Sequence, residues 1–219
     1  TVYMAKKFSR NRYFDWIKKY KATMGVSVPT ILNMFLNEPV EIHGREIPHL
    51  RFIMTSSAPM LPENWIQFEK RYGITISQSA GCSEGGLMCS HVGADRKIGT
   101  NGFPLKYQNI RLLNETDDEV PRGEPGEIVV SGLQKSWGYL HPDGRVEKLP
   151  KEHRTGDLGQ IDGDGHLTVV GRLKDLIIRG GVNISPVEID NILSQHPCIV
   201  DGAACGIPNQ IYGEEVICY

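Results

Sequence analysis

Helical and strand patterns alternate along the first third of the chain, and that rhythm limits the fold more than any other feature. Tyr13, Ile17 and Tyr20 recur at helical spacing. A short apolar run from Gly25 to Val28 reads as a strand, and Pro29 then opens a helix through Leu36, since Pro is tolerated in a first helical turn. Leu50 to Met54 is strand-like. Pro62 starts another helix with Trp65, Phe68 and Tyr72 on one face, Gly73 stops it, and Ile74 to Ile76 reads as a strand. Strand, helix, strand in this order predicts α/β units on a mostly parallel sheet.

The pattern changes between Gly99 and Gly171. Short β-rich runs (Ile110–Leu113, Glu127–Val130, Leu167–Val170) are separated by turn signals such as Asp117-Asp118, Pro142-Asp143-Gly144 and Asp162-Gly163-Asp164-Gly165. This predicts an antiparallel, barrel-like β portion. Further on, Arg179-Gly180-Gly181-Val182 reads as a tight turn and Ser185-Pro186-Val187-Glu188 as a capping box opening a helix with Ile189, Ile192 and Leu193 on its buried stripe. His196-Pro197 ends that helix, and Ile199 to Cys205 reads as a strand.

Composition excludes several classes. The 219 residues carry a net charge of −2, which argues against a broad electrostatic footprint for nucleic acid. Hydrophobic residues at 40% and charged residues at 23% suit a globular protein with a sizeable core. The five cysteines show no Cys-x-x-Cys spacing and the His are scattered away from them, so neither a zinc site nor a disulfide framework is expected, and reduced thiols imply a cytoplasmic location. No apolar run approaches the ~18 residues of a membrane helix. The chain opens on Thr1 and closes on an apolar strand at Val216–Tyr219, which reads as a piece of a longer protein.

Three local patterns can carry chemistry. Gln78-Ser79-Ala80-Gly81-Cys82-Ser83-Glu84-Gly85-Gly86 combines glycines, hydroxyls and one carboxylate after a strand; such a turn can bind phosphate oxygens, and its Glu can hold Mg²⁺. In Arg154-Thr155-Gly156-Asp157, the Asp can accept two hydrogen bonds from a ribose diol. Gly171-Arg172-Leu173-Lys174-Asp175 with Arg179-Gly180-Gly181 has the packed charge of a hinge and glycines that let backbone approach a ligand. Taken singly, a polar turn, a capping Asp and a solvated linker account for each. His153 reads as a loop histidine, Asp162–Gly165 as a turn rather than a calcium loop, and the six Met as core fillers, with Met88 a candidate border of an acyl pocket.

In their order and separations the three patterns resemble the core motifs of the adenylate-forming superfamily, most closely its acyl-CoA synthetases. Ser56-Ser57-Ala58-Pro59-Met60, Gly123-Glu124-Pro125-Gly126-Glu127-Ile128, Gly138-Tyr139 and Asn183 to Ile189 add to the match, which covers essentially the whole chain. The resemblance implies an α/β fold that is a fragment of the adenylate-forming enzyme: an α/β subdomain plus a β-barrel-like portion over residues 1–172, then the start of a small α+β C-terminal domain over 173–219. It implies an ATP-dependent carboxylate–CoA ligase that forms an acyl-adenylate and then a thioester, with ATP, Mg²⁺ and coenzyme A as cofactors and a fatty or aryl acid as substrate. By similarity, Ser57, Ala58 and Pro59 line the adenine side, with Gln78, Ser79 and Gly81 close to the nucleotide. Ser83 meets the α-phosphate, Glu84 holds Mg²⁺, Asp157 the ribose hydroxyls, and Arg172 assists. Lys174 stands at the hinge, and Arg179, Gly180 and Gly181 approach coenzyme A.

Three positions depart from the family pattern: Ala80 replaces an aromatic, Ser83 replaces Thr, and Ile178 stands where some relatives have Lys. The family's upstream phosphate loop and downstream catalytic Lys are not in these residues, so the 219-residue piece alone is expected to make no adenylate. An enzyme loading a carrier protein's phosphopantetheine and a non-catalytic nucleotide-binding fragment are the alternative readings.

Overall fold

A computed structural model describes residues 1–91, 95–196, 198–199 and 202–219. The chain divides into two compact units, residues 1–81 with 89–103, and residues 82–88 with 104–219.

The first unit contains helices α1 (Arg10–Tyr20), α2 (Pro29–Asn37) and α3 (Pro62–Tyr72), with strands β1 (Met24–Ser27), β2 (Phe52–Thr55) and β3 (Ile76–Cys82). β1 pairs parallel with β2, and β2 parallel with β3, as the alternation required; β4 (Gly86–Ser90) and β5 (Phe103–Pro104) complete the sheet order β1-β2-β3-β4-β5. β3 begins at Ile76 rather than at Ile74. Ile76 enters register with Ile53, and its N–H donates to the Glu69 carboxylate at 2.7 Å, whereas Ile74 is buried within the core. The segment from Gln78 to Gly81 therefore lies inside β3 and does not follow a strand.

Trp65, Phe68 and Tyr72 are fully buried on one face of α3, as their spacing predicts, and join Phe14, Leu32, Phe35 and Ile53 in a single apolar core. On α1 the buried positions are Phe14 and Ile17, while Tyr20 reaches the surface and stacks on Tyr3. Met60 and Met88 fill core space, but Met4, Met24 and Met34 are exposed and fill nothing.

The second unit is mainly β. β6 (Gln108–Leu113), β7 (Gly126–Gly132), β10 (His153–Ile161) and β11 (Leu167–Arg172) form an antiparallel sheet in the order β11-β10-β7-β6, and β8 (Gly138–Leu140) pairs with β9 (Val146–Lys148). A third sheet contains β12 (Ile177–Arg179), β13 (Val182–Ile184), β14 (Ala204–Asn209) and β15 (Gly213–Cys218) in the order β13-β12-β15-β14. β12 and β13 are joined by Gly180 and Gly181 at φ 58° and 84°, the two positive values a tight two-residue hairpin turn needs.

Helix α4 (Pro186–Leu193) starts where its Pro predicts, but without the capping box. The Ser185 hydroxyl donates instead to the Val170 carbonyl at 2.9 Å, tying the helix start to the end of β11. Ile192 is 65% exposed, so the stripe narrows to Ile189 and Leu193, the i, i+4 pair on one face. β14 begins only at Ala204; of the strand expected over 199–205, residues 200 and 201 lie outside the described residues, as does Pro197. Among the described residues no helix is long and apolar enough to cross a membrane.

Candidate functional site

The first unit gathers Ser57, Ala58, Pro59, Gln78, Ser79 and Gly81 at the carboxyl end of its parallel strands, where open α/β sheets bind ligands. Thr55 ends β2 in register with Gln78, so the loop after β2 passes beside the residues of β3. Ser79 Oγ donates to the Thr55 carbonyl at 3.3 Å and Gln78 Nε2 to the Ala58 carbonyl at 3.4 Å. Ser57 holds φ 76°, a left-handed conformation that a non-glycine residue adopts only when its surroundings impose it. Gln78 Oε1 and Thr55 Oγ1 are buried without a hydrogen-bond partner among the described residues. Buried polar atoms left unpaired are costly, and these two, side by side at a strand end, fit a site whose ligand brings the missing donors.

The second unit carries a set of charged residues of its own. Cys82 ends β3, and the turn Ser83-Glu84-Gly85 follows. This turn is stitched to the segment before β8: Ser136 N–H donates to the Glu84 carbonyl at 2.7 Å, Ser136 Oγ to the Ser83 carbonyl at 2.6 Å, and the Tyr139 hydroxyl to Glu84 Oε1 at 2.6 Å. That last bond holds the Glu84 carboxyl below the usual carboxylate range and pushes the Tyr139 hydroxyl up. That lowering favours the ionised form of Glu84, an oxygen donor that suits Mg²⁺. The Ser83 side chain is exposed.

Asp157 lies on β10 opposite Arg172 on β11, and Arg172 Nε donates to Asp157 Oδ1 at 2.8 Å. The turn before Asp157 is held by Glu127, nearly buried on β7, whose carboxylate accepts from Arg154 Nε at 2.7 Å and from Gly156 N–H at 3.1 Å. The β10–β7 register slips between Arg154 and Leu158, so Gly156 and Asp157 stand out of the β7 ladder. Burial pushes the Cys82 thiol up, with smaller contributions from the charges of Glu84 and Asp157. The Glu84 turn and β10, which carries Asp157, distant in sequence, meet in one unit, where the His153 ring lies within 4.8 Å of the Cys82 thiol and the Glu84 carboxylate.

The remaining predicted residues lie in the last sheet and its approach. Lys174 is exposed in a short 3₁₀ turn over Leu173–Asp175. Arg179 is engaged: its guanidinium donates Nε to Glu215 Oε1 at 2.7 Å and stacks 4.3 Å from the Tyr212 ring centre. Gly180 N–H donates to the Tyr212 carbonyl at 2.8 Å.

Sequence reasoning missed His153. It is the first residue of β10, not a loop residue, and its ring lies within 4.8 Å of the Cys82 thiol and the Glu84 carboxylate. Tyr139 was noticed as part of a motif but without a role, because its contact with Glu84 spans 55 residues. A cavity of ≈ 850 Å³ also opens in the second unit, lined among others by Leu158, Gln160, Leu176, Asn183 and Asn191, and none of the predicted site residues lines it.

A family model described as AMP-binding enzyme matches residues 1–140. The chain is 36% identical to a sulfoacetate–CoA ligase of Cupriavidus necator, with 100% of the chain aligned to 43% of that protein. It is 35% identical to an oxalate–CoA ligase of Arabidopsis thaliana over the same shares. Among solved structures, ATP-bound MatB from Rhodopseudomonas palustris superposes with a TM-score of 0.85 at 30% identity, covering 98% of the chain and 43% of MatB. The amide bond synthetase McbA from Marinactinospora thermotolerans superposes with a TM-score of 0.85 at 26% identity, covering 98% of the chain and 44% of that protein. The chain spans less than half the length of the relatives it matches.

Proposed function

The chain belongs to the AMP-binding enzyme family, and on that premise we propose that the protein carrying it is an ATP-dependent carboxylate–CoA ligase. It joins a carboxylic acid to ATP as an acyl-adenylate, releasing pyrophosphate, and then passes the acyl group to the thiol of coenzyme A, releasing AMP. The observation that carries this reading is the approach of β10, which carries the Asp157–Arg172 pair, to the Ser83–Glu84 turn, with the His153 ring within 4.8 Å of the Cys82 thiol and the Glu84 carboxylate.

Attack of a carboxylate on the α-phosphate crowds negative charge, and the residues answer that need. Asp157 holds the ribose hydroxyls and Arg172 supplies a permanent cation beside them. Ser83 offers its exposed hydroxyl to the α-phosphate. Glu84, whose ionised form Tyr139 favours, would hold Mg²⁺. When bound, Mg²⁺ offsets the phosphate charge. Ser57, Ala58 and Pro59 face the adenine together with Gln78, Ser79 and Gly81, and the unpaired Gln78 Oε1 accepts from the base. None of these side chains is a covalent nucleophile; they act by positioning and electrostatics.

Residues 173–219 are proposed as the start of the small C-terminal domain, with Lys174 at its hinge. Arg179, Gly180 and Gly181 meet coenzyme A, and Arg179 must then exchange Glu215 for the new ligand. The acid is proposed to be a fatty or aryl acid, and the site to work in the cytoplasm. A carrier-protein phosphopantetheine, which ends in the same kind of thiol as coenzyme A, is the second candidate acceptor.

The test is AMP release by the protein that carries this chain, given ATP, Mg²⁺ and a panel of acids that includes small dianions, aryl acids and fatty acids, with and without coenzyme A. Release that needs one class of acid and coenzyme A together is the expected result. Pyrophosphate exchange without coenzyme A-dependent release moves the acceptor to a carrier protein, and silence in both assays overturns the ligase reading.

A further inference from the structure

We propose that Cys82, Glu84 and His153 form a binding site for a thiophilic divalent cation of the zinc type. One ligand atom from each, the Cys82 Sγ, a Glu84 oxygen and a His153 ring nitrogen, lies within 4.8 Å of the others. Zinc takes this mixture of thiolate, imidazole and carboxylate, and a three-residue set leaves its fourth position for water. Mg²⁺ gains nothing from sulfur or imidazole, so the set selects against it.

Three elements hold the donors. Cys82 closes β3, Glu84 follows in the turn, and His153 opens β10. Tyr139 fixes Glu84 through a hydrogen bond to Oε1. All three residues are half-buried, accessible to a small cation and sheltered from bulk water. Binding is balanced by one proton: the Cys82 S–H bond breaks, the S–metal bond forms, and the proton leaves to buffer.

The site stands on this geometry and not on the ligase reading. Where that reading holds, a zinc-type ion takes Glu84 from Mg²⁺, and the enzyme is open to inhibition by such ions.

The test uses the protein that carries this chain, with Co²⁺ as a spectroscopic stand-in for Zn²⁺. A thiolate-to-cobalt charge-transfer band is expected in the wild type, lost in Cys82→Ser, and formed in His153→Ala only at Co²⁺ concentrations at least about tenfold higher, the loss seen even for outer-shell partners. A second readout needs no variant: Zn²⁺, and not Mg²⁺, should slow alkylation of Cys82 by iodoacetamide, followed by peptide mass spectrometry. A cobalt band that persists undiminished in Cys82→Ser, or Cys82 alkylation equally fast with and without Zn²⁺, overturns the proposal. Neither readout requires AMP formation, so failure of the ligase assay leaves this test intact.

Discussion

Arg172 Nε reaches Asp157 Oδ1 at 2.8 Å across the register pair that joins β10 to β11, and the two partners are unequally buried. The Asp157 side chain is 13% exposed and that of Arg172 58%. Loss of the arginine strands a nearly buried carboxylate, whereas loss of the aspartate releases a guanidinium already facing water. Arg172→Ala should therefore destabilise the protein by about 1–3 kcal/mol, and Asp157→Ala by less than about 1 kcal/mol. Urea unfolding of both variants decides this, and a larger effect for Asp157→Ala would refute the assignment. Both variants should weaken ATP binding.

The hydrogen bond from Tyr139 is the largest cause of the lowered Glu84 pKa. A carboxyl with a depressed folded pKa contributes stability above its unfolded pKa, and that contribution is lost as pH falls through the folded value. Tyr139→Phe removes the bond and returns Glu84 toward its ordinary range. The acidic limb of AMP formation should then move to higher pH, with the alkaline limb unchanged. A pH–rate profile that is merely scaled down, with both limbs in place, would mean that Tyr139 does not act through the ionisation of Glu84.

Gln78 should trade stability against binding. Its Oε1 is buried and unpaired among the described residues, and its amide donates only one long bond of 3.4 Å to Ala58. Gln78→Met keeps the volume and removes the unpaired oxygen, whose desolvation costs about 1–3 kcal/mol. The urea midpoint should rise while the affinity for ATP falls. A midpoint that drops would show that Gln78 is a structural hydrogen-bonding residue with no bearing on ligand.

The parts of the fold visible in the sequence are those governed by local periodicity. Trp65, Phe68 and Tyr72 repeat at helical spacing, so their common burial on α3 could be read directly. The paired glycines at 180 and 181 announced their turn because only glycine adopts two successive positive φ values cheaply. The motif residues were also legible, since each motif is contiguous. What brings the motifs together was not. His153 reaches Cys82 and Glu84 through the placement of β10, and Tyr139 reaches Glu84 across 55 residues, distances over which periodicity carries no signal. Ser185 misled for a related reason: its sequence fits a capping box, but a carbonyl at the end of β11 offered its hydroxyl a partner that the helix turn did not.

Tyr72 supplies the sharpest test of the first unit. α2 runs from Pro29 to Asn37, and the Phe35 carbonyl near its end should accept from the N–H four residues on. That residue is Pro39, which has no N–H. The Tyr72 hydroxyl, arriving from α3, donates to the Phe35 carbonyl at 2.7 Å in its place, and it also accepts weakly from Val40 N–H at 3.4 Å. The ring is 1% exposed within the aromatic cluster of Phe14, Phe35 and Phe68. Tyr72→Phe preserves that packing and leaves the Phe35 carbonyl buried without a donor, so it should destabilise by about 1–3 kcal/mol, more than the roughly 1 kcal/mol of an average hydrogen bond. Adding Pro39→Ala supplies the missing N–H and should recover part of the loss. If Pro39→Ala rescues nothing in the Tyr72→Phe background while the single variant is neutral, then Tyr72 supports the core through its ring alone.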